Sequence, residues 1–305
     1  MSIQTYSLED FKKLKTAGEI TAQALDFLDD KIKPGITTNY IDKIVSEFLK
    51  SNNATSAPLF YKGFTKSICT SVNHVVCHGI PSEKILEDGD IVNIDITSYI
   101  DEFHGDASRM YCVGTPSVKA KKLVDVTYES LVRAIKILKP GVTLGDIGYE
   151  IQSFVEKEGF SVVRDFCGHG IGRLFHEEPS VVHYGKKNQG MKIKEGMVFT
   201  IEPMINAGNF QTKVLNDGWT AVKDEEELNK EWYRRVEIEE MNLREWEKKF
   251  DAEQDKKKEE LIATEKKEDE KEKERIKKWE EENIELSEQH NDNEDNENEQ
   301  ASKRS

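Results

Sequence analysis

No stretch of this chain stays apolar over the roughly 20 residues that a bilayer-spanning helix requires, so no membrane span is expected. The first ten residues, MSIQTYSLED, hold no basic region ahead of an apolar one and are not Arg-rich, which gives no sign of a secretory or transit peptide. Cysteine is sparse: Cys69, Cys77, Cys112 and Cys167 show no paired C-x-x-C spacing and read as reduced thiols in a cytosolic protein. Basic surplus is missing as well. The 305 residues carry a formal charge of −15, and the acidity is concentrated at one end. From Lys223 to Ser305 there are 19 Lys+Arg against 31 Asp+Glu, a balance of −12, whereas the preceding 222 residues carry 25 against 28, a balance of −3. Neither part is an electrostatic footprint for nucleic acid or anionic lipid. The length suffices for one large domain or two ordinary ones.

What is present begins with a run of alternating character, Ile91-Val92-Asn93-Ile94-Asp95-Ile96-Thr97. Ile91, Asn93, Asp95 and Thr97 share one side of a strand, and Val92, Ile94 and Ile96 share the other. A turn within Tyr99-Ile100-Asp101-Glu102 leads into His104-Gly105-Asp106-Ala107-Ser108-Arg109-Met110-Tyr111. Pairing centred between Ile100 and Asp101 sets Asp95 opposite Asp106. Like charges opposed across a ladder are destabilising. A cation between them reverses that, and hard or borderline divalent metals take carboxylate oxygens readily. The hairpin is therefore a candidate metal site that needs further ligands from elsewhere.

An internal repeat indicates where those ligands come from. Lys33-Pro34-Gly35-Ile36-Thr37 recurs as Lys139-Pro140-Gly141-Val142-Thr143, an offset of 106, with helical periodicity before and after each copy. Asp88-Gly89-Asp90-Ile91-Val92-Asn93-Ile94-Asp95 aligns with Glu195-Gly196-Met197-Val198-Phe199-Thr200-Ile201-Glu202 at an offset of 107. Two nearly equal offsets at separated places predict two related halves, each of two helices followed by a hairpin or meander: an α+β fold with a pseudo-twofold. The axis brings Asp95 and Glu202, at equivalent strand positions, toward one another. Histidines complete the set. His169 lies between glycines in Cys167-Gly168-His169-Gly170-Ile171-Gly172, His176 follows in Phe175-His176-Glu177-Glu178-Pro179, and His78 stands in Val76-Cys77-His78-Gly79-Ile80-Pro81. Glycine neighbours allow tight or left-handed backbone and close approach. His74, His104, His183 and His290 read as surface or hydrogen-bonding residues. A donor set richer in oxygen than nitrogen suits Mn, Fe(II), Co or Zn, often as a pair of ions, and points to hydrolysis of an acyl bond.

These segments resemble type I methionine aminopeptidases, pita-bread metallopeptidases. The resemblance runs from about Tyr6 to Val222 and includes Lys66-Ser67-Ile68-Cys69-Thr70-Ser71-Val72-Asn73, Phe103-His104-Gly105-Asp106, Phe199-Thr200-Ile201-Glu202-Pro203-Met204 and Asn216-Asp217-Gly218-Trp219-Thr220, along with the segments quoted above. It implies the duplicated pita-bread α+β fold for residues 1–222. It implies Asp95, Asp106, His169 and Glu202 as ligands of two divalent ions (Co, Mn, Fe(II) or Zn), with Glu202 also moving a proton. By the same resemblance His176 stabilises the tetrahedral intermediate, His78 holds the scissile amide or the amino end, and Tyr61, Phe64, Cys69 and Trp219 wall the methionine pocket. The implied activity is removal of the initiator methionine from nascent chains with a small second residue, by a cytoplasmic monomer meeting nascent N-termini at the ribosome, without a nucleic-acid motif or a membrane.

The resemblance stops at Trp219-Thr220-Ala221-Val222. The family's terminal strand carries a pattern like S-A-Q-[FY]-E-H-T whose Glu bridges the metals; here position 233 is Tyr, and no Glu-His-Thr follows anywhere. Glu231 and Glu237 lack the flanking pattern. One ion in place of two is then an expected possibility, and the missing strand leaves a sheet edge. Residues 223–305 read as an acidic helical-to-disordered tail. Glu268–Lys271, Glu270–Lys273, Glu272–Arg275 and Glu274–Lys277 pairs support an exposed helix, and an Asn/Asp/Glu/Gln-rich end follows Glu288. Three functional readings follow: a working aminopeptidase, marked by the intact Asp95, Asp106, His169, Glu202, His78 and His176 set; a catalytically impaired relative that binds peptide or a partner, marked by the replaced terminal strand; and a hydrolase of X-Pro peptides, against which the His-Gly-Ile-Pro and Gly-Trp-Thr motifs stand.

Overall fold

The computed structural model of the protein describes residues 3–224 and 248–259. The chain divides into two units, Met1–Glu240 and Met241–Ser305. In the first, helices α1 (Leu8–Leu28) and α2 (Thr38–Ser51) precede strands β1 (Thr55–Ser56), β2 (Cys69–Val72), β3 (Val75–Cys77), β4 (Ile91–Ile100) and β5 (Phe103–Cys112). Helices α3 (Val118–Lys136) and α4 (Leu144–Lys157) then precede β6 (Phe160–Val162), β7 (Gly168–Gly170), β8 (Glu177–Val181), β9 (Ile205–Ala207), β10 (Thr212–Val214) and β11 (Ala221–Lys223). In the second unit residues 248–259 are helical. The ion-paired stretch from Glu268 to Lys277, the end beyond Glu288, and residues 225–247, the place of the family's terminal strand, lie outside the described residues. Among the described residues no helix is long and apolar enough to cross a membrane.

The expected repeat is present down to its hydrogen bonds. Gly35 and Gly141 take φ +94° and +95°, a left-handed turn that a Cβ disfavours. Gly35 N–H donates to the Leu86 carbonyl at 2.8 Å, and Gly141 N–H donates to the Ile193 carbonyl at 2.9 Å. Thr37 and Thr143 then cap α2 and α4, each accepting a backbone N–H at its side-chain oxygen. Thr37 also bridges Ile85, as Thr143 bridges Lys192. Short equivalent segments thus build equivalent corners in both halves.

The long strand β4 organises the first half. Its even residues Val92, Ile94 and Ile96 are fully buried beneath Leu25 and Leu28 of α1 and Ile41, Val45 and Leu49 of α2. On one edge β4 pairs β2 through residues 92–95 and β1 through residues 98–99; β5 takes the other edge. Helix α1 can lie close on this sheet because Gly105 meets the Ala17 backbone with no space for a Cβ.

Two expectations are corrected here. The β4–β5 ladder is centred between Asp101 and Glu102, so Asp95 pairs Ser108 and Asp106 pairs Thr97. Both turn residues adopt positive φ, 50° and 70°, which moves the centre one residue along. The partner shift is two residues, so both acids keep the same face and become diagonal neighbours. Glu202, expected on a strand like Asp95, lies outside any strand, beyond an isolated Gly170–Phe199 bridge. Pro203 has no N–H to give a ladder, and the Glu202 N–H donates instead to His183 Nε2 at 3.0 Å.

Candidate metal centre and peptide pocket

Asp95 from β4, Asp106 from β5, His169 from β7 and Glu202 reach the wall of one cavity of about 880 Å³. The hairpin delivers the two aspartates from one sheet face. His169 comes from the second half, where Gly168 would drive a Cβ to 2.5 Å from the Thr200 carbonyl and Gly170 would drive one into the Glu178 carbonyl. The glycines flanking His169 therefore serve close approach, and neither is left-handed. Thr200 closes the crossing: it accepts the His169 N–H at 2.9 Å and its hydroxyl donates to Glu202 Oε1 at 2.6 Å.

His169 Nε2 lies 3.6 Å from Asp106 Oδ2 and 3.7 Å from Glu202 Oε1. Its Nδ1 lies 2.9 Å from the Gly170 carbonyl, an acceptor that places the proton of the neutral ring on Nδ1 and leaves the Nε2 lone pair facing the acids. Burial lowers the proton affinity of this imidazole, but the Asp106 hydrogen bond, the Gly170 carbonyl and the Glu202 charge together hold its pKa above the ordinary value. Asp95 is pushed well above the carboxylate range by burial, then by Asp106 and Glu202; its carboxyl is within hydrogen-bonding reach of Asp106. Burial and Asp106 push Glu202 up to about 7. Three crowded acids with one imidazole form a site short of positive charge.

A divalent ion would supply that charge, and three carboxylates with one neutral nitrogen are a suitable donor set for Mn, Fe(II), Co or Zn. The residues fit the group in charge and donor type. Among the described residues no three His, Cys, Asp or Glu side chains are posed tightly enough to enclose an ion as they stand. The place of the family's bridging Glu falls at 225–247, outside those residues.

The remaining expected site residues line the same cavity: Tyr61, Phe64, Cys69, His78, His176 and Trp219. Cys69 is the direct β2 partner of Asp95, so one rung of the ladder joins a pocket wall to an acid. Burial, with Asp95 and Cys77 nearby, pushes the Cys69 thiol well above its usual range, so it is a neutral, soft surface. Phe64 packs edge-on to Trp219 at 5.2 Å, and His78 packs edge-on to Phe166 at 5.3 Å and to Trp219 at 6.3 Å. His78 holds φ +56°, uncommon for a residue with a Cβ. Across the cavity His176 is stacked on Tyr61 at 5.1 Å and packs on Phe175 at 4.2 Å and His169 at 4.1 Å. Burial first, then His169, lowers its pKa to about 4, so the ring is neutral at pH 7 and carries one N–H.

Of the histidines read as surface or hydrogen-bonding, His74 is exposed, and His104 Nδ1 lies 2.9 Å from the Gly172 carbonyl. His290 lies outside the described residues. His183 is fully buried; its Nε2 accepts the Glu202 N–H, its Nδ1 has no hydrogen-bond partner among the described residues, and burial lowers its pKa to about 4. Thr97 and Thr200 each lie two residues from an acid, where the period of a strand points to them. No local signal marks His183. His183→Leu leaves the Glu202 N–H without its acceptor, and a loss of about 1 kcal/mol is expected in urea unfolding; unchanged stability would show that the bond contributes nothing.

A model of the family described as metallopeptidase family M24 matches residues 12–243, past the point where the motifs end. The chain is similar to a methionine aminopeptidase of Rickettsia prowazekii, 51% identical over 237 residues, covering 77% of this chain and 92% of that one. It is similar to the crystal structure of methionine aminopeptidase from Rickettsia prowazekii, with TM-score 0.72, 53% identity, and 73% and 90% of the two chains covered. The methionine aminopeptidase from Thermotoga maritima gives TM-score 0.72 at 39% identity over 73% of this chain and 90% of that one.

Proposed function

Because the chain belongs to metallopeptidase family M24, among its methionine aminopeptidases, we propose that it removes N-terminal methionine from nascent proteins whose second residue is small. It is a hydrolase, a metalloexopeptidase, by that membership. The observation that carries the finer reading is the convergence of Asp95, Asp106, His169 and Glu202 on a cavity also walled by Tyr61, Phe64, Cys69 and Trp219. Acid and pocket wall are direct partners on one rung, so a side chain seated among the aromatics places its own amide beside the acids.

In this reading Asp95, Asp106, His169 and Glu202 hold one or two divalent ions. The chemistry such an ion would supply there is a nucleophilic water at neutral pH and polarisation of the scissile carbonyl. Glu202, oriented by the Thr200 hydroxyl, takes the proton released by the attacking water and returns it to the leaving amine. His176 is neutral and donates its single N–H to the oxygen that gains charge. His78, whose pKa burial lowers, faces the pocket as a neutral hydrogen-bonding group for the amide. The thioether of methionine packs on aromatic rings and a protonated thiol, a soft and unbranched match. The setting is cytoplasmic, the substrate a free nascent N-terminus, and the enzyme a monomer.

The absence of a family-type Glu-His-Thr after Trp219 favours a second reading, a relative impaired in catalysis. One assay decides. Purified protein reconstituted with Mn or Co is expected to release free methionine from Met-Gly-type peptides and not from peptides with a bulky second residue, with bound metal counted alongside. Folded protein that binds metal and yields no methionine above an Asp95→Ala blank would establish the impaired reading.

A further inference from the structure

The segment ahead of α1 is tied to the turn that presents His176, through groups that the reaction above does not use. Tyr6 is buried, its ring edge against Phe103 at 5.8 Å and its N–H donating to the Gly196 carbonyl at 2.8 Å. Its hydroxyl donates to the Glu177 carboxylate, 2.7 and 2.8 Å from the two oxygens, and accepts the Arg173 N–H at 3.1 Å. Glu177 Oε1 also accepts the Leu174 N–H at 2.9 Å. Gly172 has no space for a Cβ because the Tyr6 hydroxyl occupies it. One phenol oxygen thus sits inside the turn from Gly172 to Glu177 and joins its start to its end.

The outside of the turn is held as well. Arg173 reaches Asp10 and Glu102, both at 2.9 Å, with its guanidinium 4.4 Å over Phe103. Asp10 completes the capping box of α1 with Ser7, the residue after Tyr6, so the anchor is itself fixed. His176, at the far end of the turn, is packed by the faces of Tyr61, Phe175 and His169. Ring faces restrain an imidazole less than a directional bond does, so the backbone of the turn decides where its N–H points.

We propose that the Tyr6 hydroxyl is a positioning group for His176, locking the Gly172–Glu177 turn so that the imidazole is held at the oxyanion position. This rests on the oxyanion role given to His176 above. The alternative is a lock that only stabilises the fold, and the two differ in what they predict for kcat.

The test compares wild type, Tyr6→Phe and Glu177→Gln as full-length, Mn-reconstituted proteins, by hydrogen–deuterium exchange and by steady-state hydrolysis of a Met-Gly-type peptide. Tyr6→Phe removes one oxygen and keeps the ring on Phe103. Its exchange is expected to rise within 171–177 and not in β4 or β5, with an about ten-fold fall in kcat and KM within about two-fold of wild type. Glu177→Gln keeps an acceptor for the phenol and for Leu174, and should stay within about three-fold of wild type. Unchanged exchange at 171–177 in Tyr6→Phe overturns the lock, and raised exchange with unchanged kcat overturns the positioning role. Should Tyr6→Phe fail to fold, Glu177→Leu read against Glu177→Gln decides the same two points. Wild type without turnover would sink the oxyanion reading, and the exchange comparison would still judge the lock.

Discussion

Asp95→Ala is expected to lower turnover of a Met-Gly-type peptide by at least about 10³-fold, the rate equivalent of several kcal/mol of charge stabilisation withdrawn from the transition state. The position is central in β4, paired with Cys69 on one side and Ser108 on the other. It is also where burial and two neighbouring acids raise the carboxyl well above its ordinary range. A residue kept for the fold would destabilise the protein when truncated. Asp95 is different: in metal-free protein its removal relieves the cost of burying a carboxyl beside Asp106 and Glu202, so the unfolding midpoint should stay level or rise while activity and metal uptake fall. Activity lost together with several kcal/mol of stability would instead mark Asp95 as structural.

The same strand shows what the sequence makes legible. Alternation in residues 91–97 separates the acid face from the buried face, because the period of a strand is two whatever the turn does. The register was not legible: Asp101-Glu102 is not a pair that advertises two successive positive φ values, unlike Asn-Gly or Asp-Gly. An even shift left Asp95 and Asp106 on one face, which is why the metal reading survives the misplaced centre. The duplication was readable because K-P-G-x-T encodes a left-handed glycine and a threonine cap in five residues. Glu202 and His183 were harder. One leaves its strand at a proline, and the other acts from 19 residues away. Tyr6 and Arg173 meet across 167 residues, a contact that only the folded chain specifies.

Metal and pH should act together on stability, with a sign that follows from the buried groups. In metal-free protein Glu202 titrates near 7 against 4.5 for an unperturbed carboxyl, and His169 is raised above 6.5. Between pH 6.5 and 8 the folded state therefore holds more protons than the unfolded chain, and stability falls as pH rises. His78, His104, His176 and His183 are all lowered, so their contributions run the other way, but they are lost only as pH falls below 6.5. Glu202 keeps 37% of its side-chain surface open to the cavity, and solvent there screens the repulsion. The fall to pH 8 is then smaller than the full linkage value. A divalent ion takes the place of those protons. At pH 8, Mn or Co at about 100 times its dissociation constant should add roughly 2.7 kcal/mol, against much less at pH 5.5, where protons compete for the same oxygens. Asp95→Ala should lose most of this gain. Thermal unfolding with and without metal at the two pH values measures it. A metal-induced gain equal at pH 5.5 and 8, or equal in wild type and Asp95→Ala, would place the ion somewhere other than these four side chains.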